Sequence, residues 1–452
     1  MCFKIKKTAT GNITKTGIFL LSLVASFSSV NAQVTDNATI KLSLQEAIRY
    51  AKESNKLVSV YRTEESAVQS DLQDAEMGVL PRITSNAAYQ RYTRITIFDG
   101  VLGDSKQLSK PPNSNAGALN LEASFNLYSG GRHRSIVTDA RHKTELASIN
   151  TKEQEATIGL QVALHYLEMV RYYFQEQLIN DQVGRAETRS KNIASFYANG
   201  KVTKSDLLRA EVLLSNALLG ETTNKNDYAI SNQRLNTLLN LGASTQIIPV
   251  DTASLNLPDS AELENLLKDY AGAYAILKAR KQIDLQENRV ALAKSFNHPS
   301  IGLFGGYGVS YPNTVVFPPK AETFAVGLVG VRVSYEISSL YHNKYKVRSA
   351  KLRETGLKQQ QSWVTDNIQQ ETRTLAIKYF EAVNRLQVIR KSIEQAEINY
   401  QIQNTKYANQ LSLLTDLLDA DNLYQESRFN YIQANIAALS IYYRLLFITG
   451  KL

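Results

Sequence analysis

The sequence predicts a mainly α chain with a membrane β-barrel portion, laid out as two structural repeats. Three observations predict it. First, one motif occurs twice with identical internal spacing. Tyr197, Ala198 and Asn199 are followed by Asp206, Leu207 and Leu208, and Tyr407, Ala408 and Asn409 by Asp416, Leu417 and Leu418. The copies stand 210 residues apart, from 197 to 407, and a long-period repeat describes architecture before any local assignment is made. Second, prolines are absent from 113–248 and 320–452; proline in a helix interior costs about 3 kcal/mol, so both stretches have room for long helices. Third, short segments of alternating polarity precede both stretches, the period-2 pattern of strands with one apolar face.

The first residues read as a processing signal. Lys4, Lys6 and Lys7 form a basic start, 17–27 a short apolar run, and Val30, Asn31 and Ala32 offer small residues before Gln33. Removal of 1–32 takes four lysines (4, 6, 7, 15) and no acid, so the net charge falls from +9 to +5. That mild, mixed charge argues against a nucleic-acid binder, which needs a concentrated basic patch. Cys2, the only cysteine, leaves with the signal, so disulfide and thiol chemistry are not expected. No later segment has the roughly 18 consecutive apolar residues of a transmembrane helix.

The first strand pair is expected at about 83–97 and 117–128, joined by a loop-like link over 99–117. Leu119, Leu121, Ala123, Phe125 and Leu127 alternate with Asn120, Glu122, Ser124 and Asn126. The second pair is expected at about 300–312 and 322–337, joined by the proline-rich 312–320; Val329, Val331, Val333, Tyr335 and Ile337 alternate with residues that include Arg332, Ser334 and Glu336. Pro81 and Pro299 open the first strand of each pair, each six residues after an alanine (Ala75, Ala293).

A long helix follows each pair, over about 131–198 and 341–408, on the order of 100 Å each at about 1.5 Å per residue. Both end at the repeated motif, which reads as a helical hairpin tip. Gly200 and Asn409 suit a left-handed C-terminal cap. Ser205 and Thr415 suit the N-cap of the returning helix, each followed by an aspartate, Asp206 or Asp416, in the first turn. The repeats run over about 40–245 and 259–452, with a connector at about 242–260.

Strands of this length can cross a membrane, where about 9–11 residues suffice. Four strands cannot close a barrel, and an open edge in lipid leaves backbone groups unpaired. Membrane-spanning strands therefore require several chains to share one barrel, and three chains would supply twelve strands. Aromatic residues including Tyr89, Tyr92, Tyr128, Tyr307, Tyr311 and Tyr335 fit an interfacial girdle, with ordinary sheet packing as the other reading.

These residues resemble the outer membrane efflux protein (TolC) family. The resemblance rests on Leu42 to Ile48 as the opening helix, the Ala75/Pro81 and Ala293/Pro299 strand entries, Leu127 to Arg132 as the strand-to-helix junction, and the duplicated tip. It covers about 40–450 and implies a TolC-like homotrimer: a trimeric 12-stranded β-barrel in the outer membrane, continued by a long periplasmic α-helical barrel. It implies a passive exit duct in a tripartite efflux or type I secretion system, with a periplasmic adaptor (membrane fusion) protein, an inner-membrane transporter and outer-membrane lipid as partners. By position, the resemblance places a gate at Tyr407, Asp416 and Asp419, with Tyr197, Asp206 and Arg209 as first-repeat counterparts. It places adaptor docking at the tips, Asn199, Gly200, Asn409 and Gln410. Arg209 stands where the second repeat has Asp419, Ser412 where the family type member has a basic residue, and Ser338, Ser339 and Leu340 where junction glycines are usual.

No catalytic, cofactor-binding or metal-binding set emerges. His133, His142, His165, His298 and His342 lack ligand spacing, and the glycines at 302, 305, 306 and 308 lie in a strand pattern rather than before a helix. An enzyme is not expected. A periplasmic coiled-coil adaptor or scaffold without a pore is the alternative, although it leaves the four strands unexplained. Drug efflux, metal efflux and protein secretion all remain open.

Overall fold

The computed structural model describes residues 39–92, 96–98, 105–107, 115–250, 257–258, 260–312, 321–409 and 411–452. The expected signal segment and Gln410 lie outside them, as does most of the link over 312–320.

The chain opens with β1 (Thr39–Leu42) and α1 (Leu44–Ser54), whose start is a capping box: Glu46 N–H donates to the Ser43 hydroxyl, and the Glu46 carboxylate accepts from Ser43 N–H. Asn55 ends α1 and starts α2 (Lys56–Met77), its amide oxygen accepting from Leu57 and Val58 N–H. Then come β2 (Arg82–Arg91), β3 (Thr96–Phe98), β4 (Ser105–Gln107) and β5 (Asn115–Tyr128). The expected single strand over 83–97 is thus interrupted, and the link expected to be loop contributes β4 to a short antiparallel pair with β3. β5 runs into α3 (Arg132–Ala198), 67 residues long, and α4 (Lys204–Leu238), 35 residues long, returns from the tip.

The second half follows the same order. After β6 (Gln246–Pro249) and α5 (Ser260–Lys268) come α6 (Tyr274–Ser295), β7 (Ser300–Tyr311), β8 (Phe324–Ser334), the short α7 (Ser339–His342), α8 (Lys344–Ala408) and α9 (Leu414–Ile448). α8 has 65 residues and α9 has 35, close to α3 and α4. Two junctions differ. Gly130 and Gly131, with φ of +66° and +84°, turn β5 into α3, whereas the glycine-free second junction stops its strand at Ser334, short of the expected 337, and inserts α7. Left-handed backbone costs a non-glycine residue about 1–2 kcal/mol, so a chain without glycine there makes the corner with a helical turn.

β2, β5, β7 and β8 form one antiparallel sheet in that order. The register places Ile83, Ala123, Gly305 and Val329 in one row, and Ala87, Leu119, Val309 and Ala325 in another. The odd positions therefore share one apolar face. A bulge between Asn126 and Tyr128 moves Tyr128 into the row of Ile301 and Val333.

The main core lies midway along α3. Val162, Ala163, Tyr166, Leu167, Met169 and Val170 are fully buried against Ala51 of α1, Val58 of α2, Leu235 of α4 and Ile247 of β6. β1 pairs in parallel with β6, and the Tyr166 hydroxyl donates to Leu42 O at 2.9 Å, so a belt of short elements clamps the long helix at its waist. Among the described residues no helix is long and apolar enough to cross a membrane.

Candidate functional site at the hairpin tips

α3 and α8 carry the two hairpins away from the sheet by about 100 Å at about 1.5 Å per residue. The two turns share one return hydrogen bond. In the first, Gly200 takes φ +69° and Lys201 N–H donates to Phe196 O at 2.9 Å. In the second, Leu411 N–H donates to Lys406 O at 2.8 Å. Both are the six-residue return bond of a Schellman ending. Asn409 is not left-handed, contrary to expectation: its φ is −91°, like the −93° of Asn199. Each asparagine instead turns its side-chain amide back to a carbonyl, of Ser195 or Thr405, at 2.8 Å. The sequence position equivalent to Gly200 is Gln410 rather than Asn409.

The returning helices start earlier than expected. Thr203 and Leu413 are the N-caps, in place of Ser205 and Thr415. The reason is that Asp206 and Asp416 stand at N3, where a carboxylate reaches back to the cap. Asp206 accepts from Thr203 N–H at 3.0 Å, and Asp416 from Leu413 N–H at 3.2 Å. In the first tip the Thr203 hydroxyl also accepts from Asp206 N–H, completing a capping box. Leucine cannot do this, so the second tip keeps half of it. Both motif aspartates thus have capping work to do.

The two tips pack on each other. Ile193 of α3, Ala210 of α4, and Leu414 and Leu418 of α9 form a cluster joined by Val202, Leu207, Leu213 and Tyr407. Tyr407, half-buried there, has a hydroxyl without a hydrogen-bond partner in the single chain. Burial raises its pKa, the negative charge of Asp206 adds to that, and Arg189 opposes it. Tyr407, Asp206 and Ser412 line a cavity of about 420 Å³. The structure thus brings Tyr407 and Asp206 together. Tyr197, Arg209, Asp416 and Asp419 lie exposed on the tip surface, as do Asn199, Gly200 and Asn409. Neither Arg209 nor Asp419 has an ion-pair partner among the described residues.

One group escaped the sequence analysis. Asp421 of α9, 6% exposed, accepts from the Arg189 guanidinium at 2.7 Å and lies 3.4 Å from Arg185 Nε. Both arginines come from α3, four residues apart, so this triad ties one hairpin to the other. Its polar capacity is not used up: atoms of Arg185, Asp421 and both amide atoms of Gln425 are buried without hydrogen-bond partners. Tyr400, whose pKa burial and the Asp421 charge both raise, stacks on Tyr424 beside it. Arg185, Arg189, Tyr400 and Tyr407 line a neighbouring cavity of about 740 Å³. The available signal was a difference between repeats: Arg185 and Arg189 correspond to Gln395 and Asn399 at the 210-residue offset.

Among the described residues no group of three or more His, Cys, Asp or Glu side chains could hold a metal ion. The arrangement joins the two hairpins through charge and hydrogen bonds and presents carboxylates to solvent.

Comparison with known proteins agrees in kind. Residues 47–241 match the family model described as outer membrane efflux protein. No curated protein sequence matches the chain. Among solved structures, the outer membrane protein VceC from Vibrio cholerae superposes with a TM-score of 0.73 at 16% identity, covering 90% of this chain and 96% of that one. The open state of the Neisseria gonorrhoeae MtrE outer membrane channel gives 0.70 at 18% identity, covering 90% and 88%. The Campylobacter jejuni CmeC outer membrane channel gives 0.69 at 15% identity, covering 90% and 85%. Residues 47–241 thus resemble the outer membrane efflux protein family, and the chain as a whole has the fold of these outer-membrane channels.

Proposed function

We propose that the protein is the outer-membrane exit duct of a tripartite efflux or type I secretion system, a passive channel rather than an enzyme. The sheet carries this reading. Among the described residues β2 and β8 each have a single strand neighbour, so both edges are open. Its odd face leaves Val329, Val331 and Val333 at 89%, 63% and 67% exposure, too much contiguous apolar surface for contact with water. Lipid against that face and strand pairing at both edges resolve the two problems together. β2 and β8 run in opposite directions, so β8 of one copy pairs antiparallel with β2 of the next. Three copies close twelve strands, and α3, α4, α8 and α9 continue that wall into the periplasm.

On this reading the tips are the periplasmic entrance. Asp416 and Asp419, three residues apart on one helix face, form a carboxylate ring about the axis that attracts cations. Tyr407, Asp206 and the Arg185–Arg189–Asp421 triad hold each chain's two hairpins in the closed arrangement, with Arg209 and Tyr197 on the surface facing neighbouring copies. Asn199, Gly200 and Asn409 present the turns to a periplasmic adaptor, and an inner-membrane transporter supplies the energy. A pore-free adaptor would have no use for a lipid-facing sheet.

The test is native mass spectrometry in detergent followed by recording in planar bilayers. The expected result is a trimer with discrete conductance steps. A detergent-independent monomer without conductance refutes the reading.

A further inference from the structure

We propose that the inward side of the sheet carries a binding station for anionic amphiphilic cargo, centred on Arg82, Arg332 and Phe304. It rests on the duct reading, under which the even-numbered face lines the lumen.

Barrel interiors are ordinarily polar, and the even face of β5 follows that rule with Asn120, Glu122, Ser124 and Asn126. The even face of β8 does not. Val326 and Leu328 project to the same side as Arg332, and both are exposed, at 44% and 53%. Between these walls runs β7, whose inward positions include Gly306 and Gly308. The result is a cavity of about 580 Å³ whose floor is glycine at 306 and 308, with one apolar wall and one polar wall. At Gly308 the floor is fixed by its neighbour, since a Cβ there would stand 2.5 Å from Asn120 Oδ1.

At the helix-proximal end of the groove stand two arginines. Arg82 opens β2, in the row of Ser124, Phe304 and Gly330, and Arg332 lies one inward row away, beside Gly302. The Arg332 guanidinium sits 4.8 Å from the Phe304 ring centroid. The ring itself lies over Gly330, where an added Cβ would come within 2.7 Å of it. Neither arginine has an ion-pair partner among the described residues, and Glu122, on the opposite wall, bonds to neither.

Unpaired guanidinium forks select carboxylate, sulfonate or phosphate oxygens. An aromatic plane and an aliphatic wall next to them select an apolar body on the same molecule. The chemistry together describes an anion with an attached ring system, its head at the arginines and its body along Leu328 and Val326. Glu122 repels a second anionic head further along, which gives the bound molecule one orientation. The carboxylates at the tips attract cations, so the two ends of the duct discriminate by opposite charge.

The experiment uses the full-length trimer in planar bilayers, with naphthalene-1-sulfonate as probe and ethanesulfonate as the head group without a ring. Naphthalene-1-sulfonate is expected to produce resolvable current block, ethanesulfonate none. R332Q and R82Q should each shorten the block about tenfold, as expected for a lost charge-assisted contact, and L328N should shorten it without moving the KCl reversal potential. R332K, which keeps charge but loses the planar fork, should retain the reversal potential and lose block. Conducting R332Q and R82Q trimers with unchanged block overturn this proposal alone. Equal block by both probes overturns it too, and a wild type without conductance overturns the duct reading and this proposal with it.

Discussion

Replacing Asp421 with asparagine tests whether the two hairpins are held by charge. Asparagine has nearly the same shape and still accepts a hydrogen bond from Arg189, so the cavity term is small. At 2.7 Å the gross attraction of one carboxylate–guanidinium contact is about 6 kcal/mol at an effective dielectric of about 20. The carboxylate is nearly buried, so its own desolvation cancels part of that gain, and removing one partner of a buried pair costs about 3–5 kcal/mol in practice. Asparagine also leaves Arg185 and Arg189 one helical turn apart without a counter-charge. We expect a loss near the lower bound, about 3 kcal/mol, confined to the tips. Hydrogen exchange should then quicken about a hundredfold in peptides covering 185–200 and 411–425, while those covering the waist at 162–170 stay as slow as in the wild type. The double variant D421N/R189Q should recover part of the loss, because it removes one stranded charge. Unchanged tip exchange in D421N, or equal acceleration at the waist, refutes the electrostatic latch.

Asp419→Asn should leave thermal stability unchanged, since the side chain is exposed and unpaired, yet reduce cation selectivity and divalent block in bilayer recordings; unaltered selectivity removes Asp419 from the entrance. Thr203→Ala should cost about 1 kcal/mol by deleting the capping hydroxyl, read as faster exchange at the first tip with the second unaffected. Gly131→Ala has open space around it and should cost about 1–2 kcal/mol for its positive φ alone. Gly130→Ala should cost clearly more in thermal unfolding, because its Cβ would lie 2.6 Å from Ser295 O. The Tyr228 pKa is pushed up to about 12 by burial, with the Glu176 charge adding. A phenol whose folded pKa is raised contributes stability that is complete below its unfolded value of about 10 and is lost as pH rises through about 12. Tyr228→Phe should flatten the fall of the melting temperature across that window, at the expense of the hydrogen bond to Ile247 O.

The long elements were legible because their signals are redundant over many residues. Proline-free, alanine- and leucine-rich stretches bounded α3 and α8 to within about three residues at either end, period-2 alternation located β5 and β8, and the prolines at 81 and 299 marked the starts of β2 and β7. Errors collected where a single side chain decides the outcome. The N-caps fell two residues early because carboxylates at N3 reach back, a contact that residue type alone does not fix between neighbouring Ser, Thr and Asp. The corner after β8 became a helical turn because no glycine was available. The β3–β4 and β1–β6 pairs are three or four residues long, too short for periodicity to register.

The tip site was half legible, and the missing half follows from duplication itself. Aligning the repeats directs attention to what they share, and the shared residues turned out to be capping residues: Asp206 and Asp416 do the same local work in both copies. If the tips form the entrance proposed above, the copies must differ, because a hairpin that moves against its twin cannot be held by contacts identical on both sides. The differences lie one turn further on. Glu211 is exposed on α4 while its counterpart Asp421 is buried on α9, and only α3 carries the two arginines that Asp421 needs. The pair is therefore an asymmetric bond between unlike repeats, with unused polar atoms around it that a second arrangement of the tips can take up. Under the proposed entrance role, the hairpin expected to move is the one whose cap is incomplete, α8 and α9 with Leu413 in place of Thr203. Leu413→Thr, which restores the capping box, should slow exchange at the second tip and lower open probability in bilayers; an unchanged open probability despite slower exchange would separate capping from gating.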